Sequence, residues 1–111
     1  MKYVTLIDNT GRTILAEEYA SSENTITVKN PAMIHVGQTQ QGQLQVQLLP
    51  LFFPEFLAQS QKDAGTYWEY SRDAVAIGKD IQIEEKILEQ YKRVFNPSPI
   101  IQAPANPPIN V

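Results

Sequence analysis

From Gln43 to Leu48 the chain reads Gln-Leu-Gln-Val-Gln-Leu, apolar residues alternating with glutamines. A period of two sends successive side chains to opposite faces of an extended backbone, so the stretch is predicted as a strand with one buried face. Such a strand needs hydrogen-bonded neighbours, and the first half of the chain offers several. Tyr3–Asp8 and Arg12–Tyr19 flank Asn9-Thr10-Gly11 and read as a hairpin, with Gly11 supplying the positive φ of a tight turn. Thr25–Lys29 alternates with Ile26 and Val28 inward. Pro31 cannot donate to a ladder and is expected to end or offset that strand before Ala32–Val36 resumes it. The glutamines, present also at 38, 40 and 41, suit water or a partner's polar groups equally, because an amide donates and accepts without charge.

The next segment behaves differently. Leu48–Leu57 contains Pro50 and Pro54, which exclude a helix interior or a central strand, yet seven of its ten residues are Leu or Phe. An irregular segment this apolar either folds over the open end of its own β structure or forms a subunit interface, where aromatics concentrate. Leu49, Leu51, Phe52, Phe53 and Phe56 are the candidate interface residues. After a polar loop over 58–66, strand character returns at Thr66–Tyr70 and Ala74–Ile77, and Gly78-Lys79-Asp80 makes a turn. A helix is predicted over Ile83–Phe95. Ile83, Ile87, Tyr91 and Val94 share one stripe, acids occupy its first turn, and Lys92 and Arg93 occupy its last. Asn96-Pro97 stops it. The tail Asn96–Val111 holds five of the eight prolines and no charged side chain. It is expected to be extended and docked, with Ile100, Ile101, Ile109 and Val111 as anchors.

At 111 residues the chain fits a single domain over 1–95 followed by the tail at 96–111. It has no cysteine, so disulfides and thiolate metal sites are excluded, and a reducing cytoplasm is compatible. The net charge of −3 and the scattered basic residues argue against an extended phosphate-binding surface. His35 is the single histidine and has no second histidine or cysteine with which to share a metal. The serines stand in no nucleophile context, the glycines form no phosphate loop, and Glu17-Glu18 and Glu85/Glu89 read as solvated charges. No catalytic residue, metal ligand or cofactor site is assigned, and the expectation is a binding or assembly module, not an enzyme. For nucleic acid, Tyr67 and Trp68 are the candidate stacking residues and Arg72 and Lys79 the candidate phosphate contacts. No membrane partner is expected, since the longest apolar run is cut by Pro50, Pro54 and Glu55.

Taken together, Val4-x-Leu6, Gly11-Arg12-x-Ile14, Asn24-Thr25-Ile26-Thr27-Val28-x-Asn30-Pro31, the Gly42–Leu48 strand and the closing Tyr91-Lys92-Arg93-Val94-Phe95 resemble phage-encoded Sm-like proteins. The resemblance covers most of residues 2–95. It implies a mainly β fold: a small, strongly bent, five-stranded antiparallel barrel with a C-terminal α-helix and an extended Pro-rich tail. It further implies a homo-oligomeric ring of pentamer-to-heptamer size in the cytoplasm of an infected bacterial host. Two departures bear on activity. Ser21-Ser22-Glu23-Asn24 keeps little of the acidic-then-Asn loop of RNA-binding members, and Ile77 stands before Gly78 where those members place Arg. Two readings follow: a ring that binds RNA or other single-stranded nucleic acid, or a phage structural or scaffolding protein whose ring contacts another phage or host protein.

Overall fold

Turn chemistry and alternation shape the start of the molecule as expected. The computed structural model describes residues 2–95 and the pair 109–110. In chain order these form β1 (Tyr3–Ile7), β2 (Thr13–Ser21), β3 (Thr25–Gln38), β4 (Leu44–Pro50), β5 (Tyr67–Ser71), β6 (Ala76–Ile77), α1 (Glu85–Phe95) and β7 (Ile109–Asn110). The β1–β2 turn is drawn tight by Asp8, whose carboxylate accepts hydrogen bonds from the Thr10 and Arg12 amides and from the Thr10 hydroxyl. Gly11 takes φ +87° there. Of the tail, only Ile109–Asn110 is described; the anchoring expected of Ile100, Ile101 and Val111 lies outside the described residues.

All pairings are antiparallel, in the order β6-β1-β2-β3-β4-β7 with β5 also against β3. The mainly β class and the C-terminal helix are as expected, but the five-stranded closed barrel is not: seven strands form an open sheet. The reason lies in the 14-residue length of β3. One edge pairs with β2, while the other is shared end to end, Thr25–Lys29 with β5 and Ala32–Gln38 with β4. No ladder closes the circuit among the described residues. The sheet nevertheless curls, because β5 lies on β3 and β6 on β1 although a single 3-10 turn, Arg72–Ala74, connects them. Five residue steps span at most about 18 Å. The two ends of the path β6-β1-β2-β3-β5 are therefore tied together, and its strands wrap a common interior.

That interior holds Val4, Leu6, Ile14, Ala16, Ile26 and Val28, with Met33, Leu51, Tyr70, Val75 and Ile77 packed against it. The opposite face of the sheet carries a second core of Leu15, Ala32, Leu48, Tyr91 and Val94, completed by Tyr3, Ile34, Ile83, Ile87 and Phe95. Helix α1 covers this face. Each large aliphatic side chain so buried contributes about 1.5–3 kcal/mol. Ile83 joins the core although the helix starts two residues later than the spacing predicts, at Glu85.

The two cores meet in β3. Ile26 and Val28 point to the first and Ala32, in the same phase of a regular strand, to the second. Asn30 takes φ 53°, and the β2–β3 register shifts between Leu15 and Glu17, so the strand changes phase here without ending. The offset expected of Pro31 is thus a half-turn of the whole strand, which lets one continuous segment serve both layers.

Candidate functional site

Past Pro50 the chain leaves the sheet. The Leu51 amide donates to the Pro31 carbonyl at 3.0 Å, and the Leu51 side chain turns into the curled core. The Phe56 and Leu57 amides then close a 3-10 turn on the Phe53 and Pro54 carbonyls, both at 3.0 Å. With its backbone bonded locally and prolines barring a longer helix, the segment turns its aromatic rings outward. Phe52, Phe53 and Phe56 are 42%, 38% and 72% exposed. The ring of Phe56 meets the other two edge-on, with centroids 6.1 Å from Phe52 and 5.9 Å from Phe53. The five predicted interface residues therefore divide. Leu49 and Leu51 are half-buried against the body, whereas the three phenylalanines form one exposed cluster.

The cluster borders a cavity of about 110 Å³ lined by Lys29, Asn30, Phe52, Lys62, Asp63 and Thr66, among others. Its floor is the β3 kink, held from two directions. Asn30 exchanges two hydrogen bonds with the Thr66 backbone, its amide to the Thr66 carbonyl at 2.8 Å and the Thr66 amide to its Oδ1 at 3.0 Å. The Tyr91 hydroxyl donates to the Asn30 carbonyl at 2.8 Å and lies 3.2 Å from that of Lys29. Burial, with help from Glu17 and Tyr3, pushes the Tyr91 hydroxyl well above the usual tyrosine range. It stays a neutral donor at ordinary pH.

The four predicted nucleic-acid residues do not form one surface. Tyr67 and Trp68 are neighbours on β5, so their side chains leave opposite faces. Tyr67 packs edge-on against Tyr19 at 4.7 Å, with the Lys29 ammonium 6.0 Å from its centroid. Trp68 donates its Nε1–H to the Thr66 hydroxyl at 3.0 Å. Arg72 is committed to the β2–β3 turn: Nε donates to the Ser22 carbonyl at 2.7 Å, a terminal nitrogen donates to the Ser21 hydroxyl, and its amide donates to the Asn24 carbonyl at 2.9 Å. Arg72 and Lys79 do come together, lining a groove of about 460 Å³ with Lys2, Glu18 and Asp80. Lys2 and Glu18 pair across it at 3.4 Å.

His35 lies exposed on β3 opposite Gln47. Among the described residues no group of three or more His, Cys, Asp or Glu side chains could hold a metal ion. Sequence reasoning passed over Asp8, Tyr19, Lys29 and Asn30. Asp8 alone had a readable sign, an acid opening a Thr-Gly turn. The others acquire their roles from cross-strand partners that no local spacing reveals. No family model, curated protein or solved structure matches the chain. No helix among the described residues is long and apolar enough to cross a membrane.

Proposed function

We propose that this protein is a non-catalytic assembly module that associates, with copies of itself or with another protein, through the Phe52–Phe53–Phe56 patch. The observation that carries this reading is the exposure of three aromatic rings, Phe56 packed edge-on against both Phe52 and Phe53, on a segment held by the Leu51–Pro31 hydrogen bond and its own 3-10 turn. Aromatic side chains concentrate at the buried centre of interfaces and supply much of their binding free energy. Held in place by the 3-10 turn, these rings lose little conformational freedom on docking. The resemblance to phage-encoded Sm-like proteins gives the assembly a form, a homo-oligomeric ring of pentamer-to-heptamer size. In that setting the role is phage structural or scaffolding, in the cytoplasm of an infected bacterium.

Native mass at micromolar concentration tests the proposal. The wild-type chain is expected as an oligomer or as a stable complex with its partner protein, and Phe52→Asp with Phe53→Asp is expected to reduce the mass to that of the monomer. An unchanged mass in the double variant would overturn the role of the patch.

A second reading, binding of RNA or other single-stranded nucleic acid, draws on the groove where Lys2, Arg72 and Lys79 meet. The hydrogen bonds that tie Arg72 to the turn, and the two acids lining the groove, weigh against it. Electrostatic affinity is greatest at low salt, so the absence of oligo(U) or oligo(A) binding there would dispose of it.

A further inference from the structure

One edge of β1 is paired throughout and the other only in part. Against β2 it is paired from Tyr3 to Ile7, whereas β6 meets its other edge at Leu6 and Ile7. One more bond follows, from the Gly78 amide to the Thr5 carbonyl at 2.8 Å, and then Asp80 at φ 56° turns the chain away. In an antiparallel ladder the backbone groups of successive residues point to alternate edges. The Lys2 carbonyl accepts from Glu18 on β2, and the Thr5 carbonyl from Gly78 on the opposite side. By that alternation Tyr3, two residues from Thr5, turns its N–H and C=O to the side that β6 has left. What lies there is open space: a groove of about 460 Å³ with residues 2–5 along one wall and residues 78–81 along the other. That volume is within the roughly 300–1,000 Å³ of ligand sites. Tyr3 is fixed in place, its ring edge-on to that of Tyr91 at 5.7 Å, so the edge is presented without rearrangement.

We propose that this groove takes an extended peptide carrying one carboxylate, added as a strand against Tyr3. Three features select that class. An N–H and a C=O on an open strand edge recognise a β-strand through its backbone, whatever its sequence. Val4, Ile26 and Ile77 of the curled core line the same groove together with Ile81, which is 57% exposed, and give an apolar seat to an alternate side chain. The charges then set the sign and the number. Lys2, Arg72 and Lys79 stand against Glu18 and Asp80, three cations to two acids, which leaves one positive charge over. Lys2 is already paired with Glu18, whereas among the described residues Arg72 and Lys79 have no ion-pair partner. A single surplus charge suits one carboxylate and is too little for a run of phosphates, so the acids that weigh against nucleic acid here are compatible with a peptide. The groove shares no residue with the phenylalanine patch.

Isothermal titration calorimetry on the full chain at low salt tests the proposal. The probe is a short peptide of alternating valine and threonine with one glutamate, acetylated and amidated so that the glutamate is its only charge. It is expected to bind. A counterpart with N-methyl valines, which cannot donate backbone hydrogen bonds, and one with lysine in place of glutamate are each expected to bind about tenfold more weakly or worse. Lys79 is exposed, and asparagine tolerates the positive φ of Asp80, so both positions can be changed without disturbing the fold. Lys79→Glu, a change of two charge units, is expected to weaken binding of the glutamate peptide about tenfold, and Asp80→Asn, one unit of opposite sign, to tighten it about threefold. Equal binding of the N-methyl peptide overturns strand addition, and indifference to both variants overturns the groove as its seat. No binding of the glutamate peptide at millimolar concentration overturns the site. Oligo(U) that binds more tightly than the peptide, and loses affinity in Lys79→Glu, gives the groove to nucleic acid and overturns the proposal likewise. The Phe52→Asp/Phe53→Asp chain is expected to bind the peptide as the wild type does, which separates this proposal from the assembly reading. A loss there would move the peptide to the phenylalanines and overturn the groove.

Discussion

Asp8 carries more structural duty than any other acid in the molecule. Burial alone would raise its pKa, but hydrogen bonds from the Arg12 amide, the Thr10 hydroxyl, the Arg12 guanidinium and the Thr10 amide outweigh that cost and hold it at about 2, below the ordinary 3.8. A carboxyl depressed on folding contributes stability that is complete above its unfolded pKa and is lost as pH falls through its folded one. Asp8→Ala is expected to lower unfolding free energy at pH 7 by about 2–3 kcal/mol, the scale of hydrogen bonds to a charged group. The gap from wild type should narrow from about pH 4 downward, with both chains unfolded in urea at pH 7 and pH 2.5. A gap that stays constant would mean the loss is one of packing and not of charge.

At the scale of elements, the β3 kink depends on contacts brought from far along the chain. Gly65 sits at φ +78°, and a Cβ there would lie 2.6 Å from Asn30 Oδ1. Gly65→Ala is therefore expected to displace Asn30 from the Thr66 backbone and to destabilise by about 2 kcal/mol or more. Tyr91→Phe removes the donor to the Asn30 and Lys29 carbonyls and is expected to cost about 1–2 kcal/mol. Because both changes act on Asn30, thermal unfolding of the double variant should show a loss that differs from the sum of the two. This node also marks where sequence reading stops. The alternation of Ile26 and Val28, the breaking power of Pro31 and the stripe through Tyr91 are all legible locally, and each element was found close to its predicted place. That Tyr91 and Thr66 would converge on Asn30 is not legible, since no periodicity relates residues 61 and 36 positions away. The branching of β3 between two partners was missed for a similar reason. A strand pattern shows which face is buried, not which edge is shared.

At the scale of the whole molecule, the candidate surfaces divide the same way. Composition marked Phe52, Phe53 and Phe56 as unusual, and they emerge as one exposed cluster of three aromatic rings. Sequence reading also grouped Tyr67, Trp68, Arg72 and Lys79, but only Arg72 and Lys79 line a common groove; Tyr67 and Trp68, as neighbours on a strand, diverge to opposite faces. Assembly through the phenylalanines has a thermodynamic signature. A species stabilised by association melts at a temperature that rises with its concentration. The wild-type Tm is expected to increase across a hundredfold dilution series read from low to high concentration, and that of the Phe52→Asp/Phe53→Asp variant to stay flat. The rings belong to neither core, so the isolated fold should lose no more than about 0.5 kcal/mol.

The two cores share their backbone. In β2, Ile14 and Ala16 face one and Leu15 the other, and β3 crosses between them at Asn30. Neither layer can melt while the other persists, because opening one strips the rear wall from its neighbour. The domain should therefore behave as a single cooperative unit, with no partly unfolded state retaining half of it. Native-state hydrogen exchange would then show the amides of β2 and β3 opening together at the free energy of global unfolding, whichever layer their side chains enter.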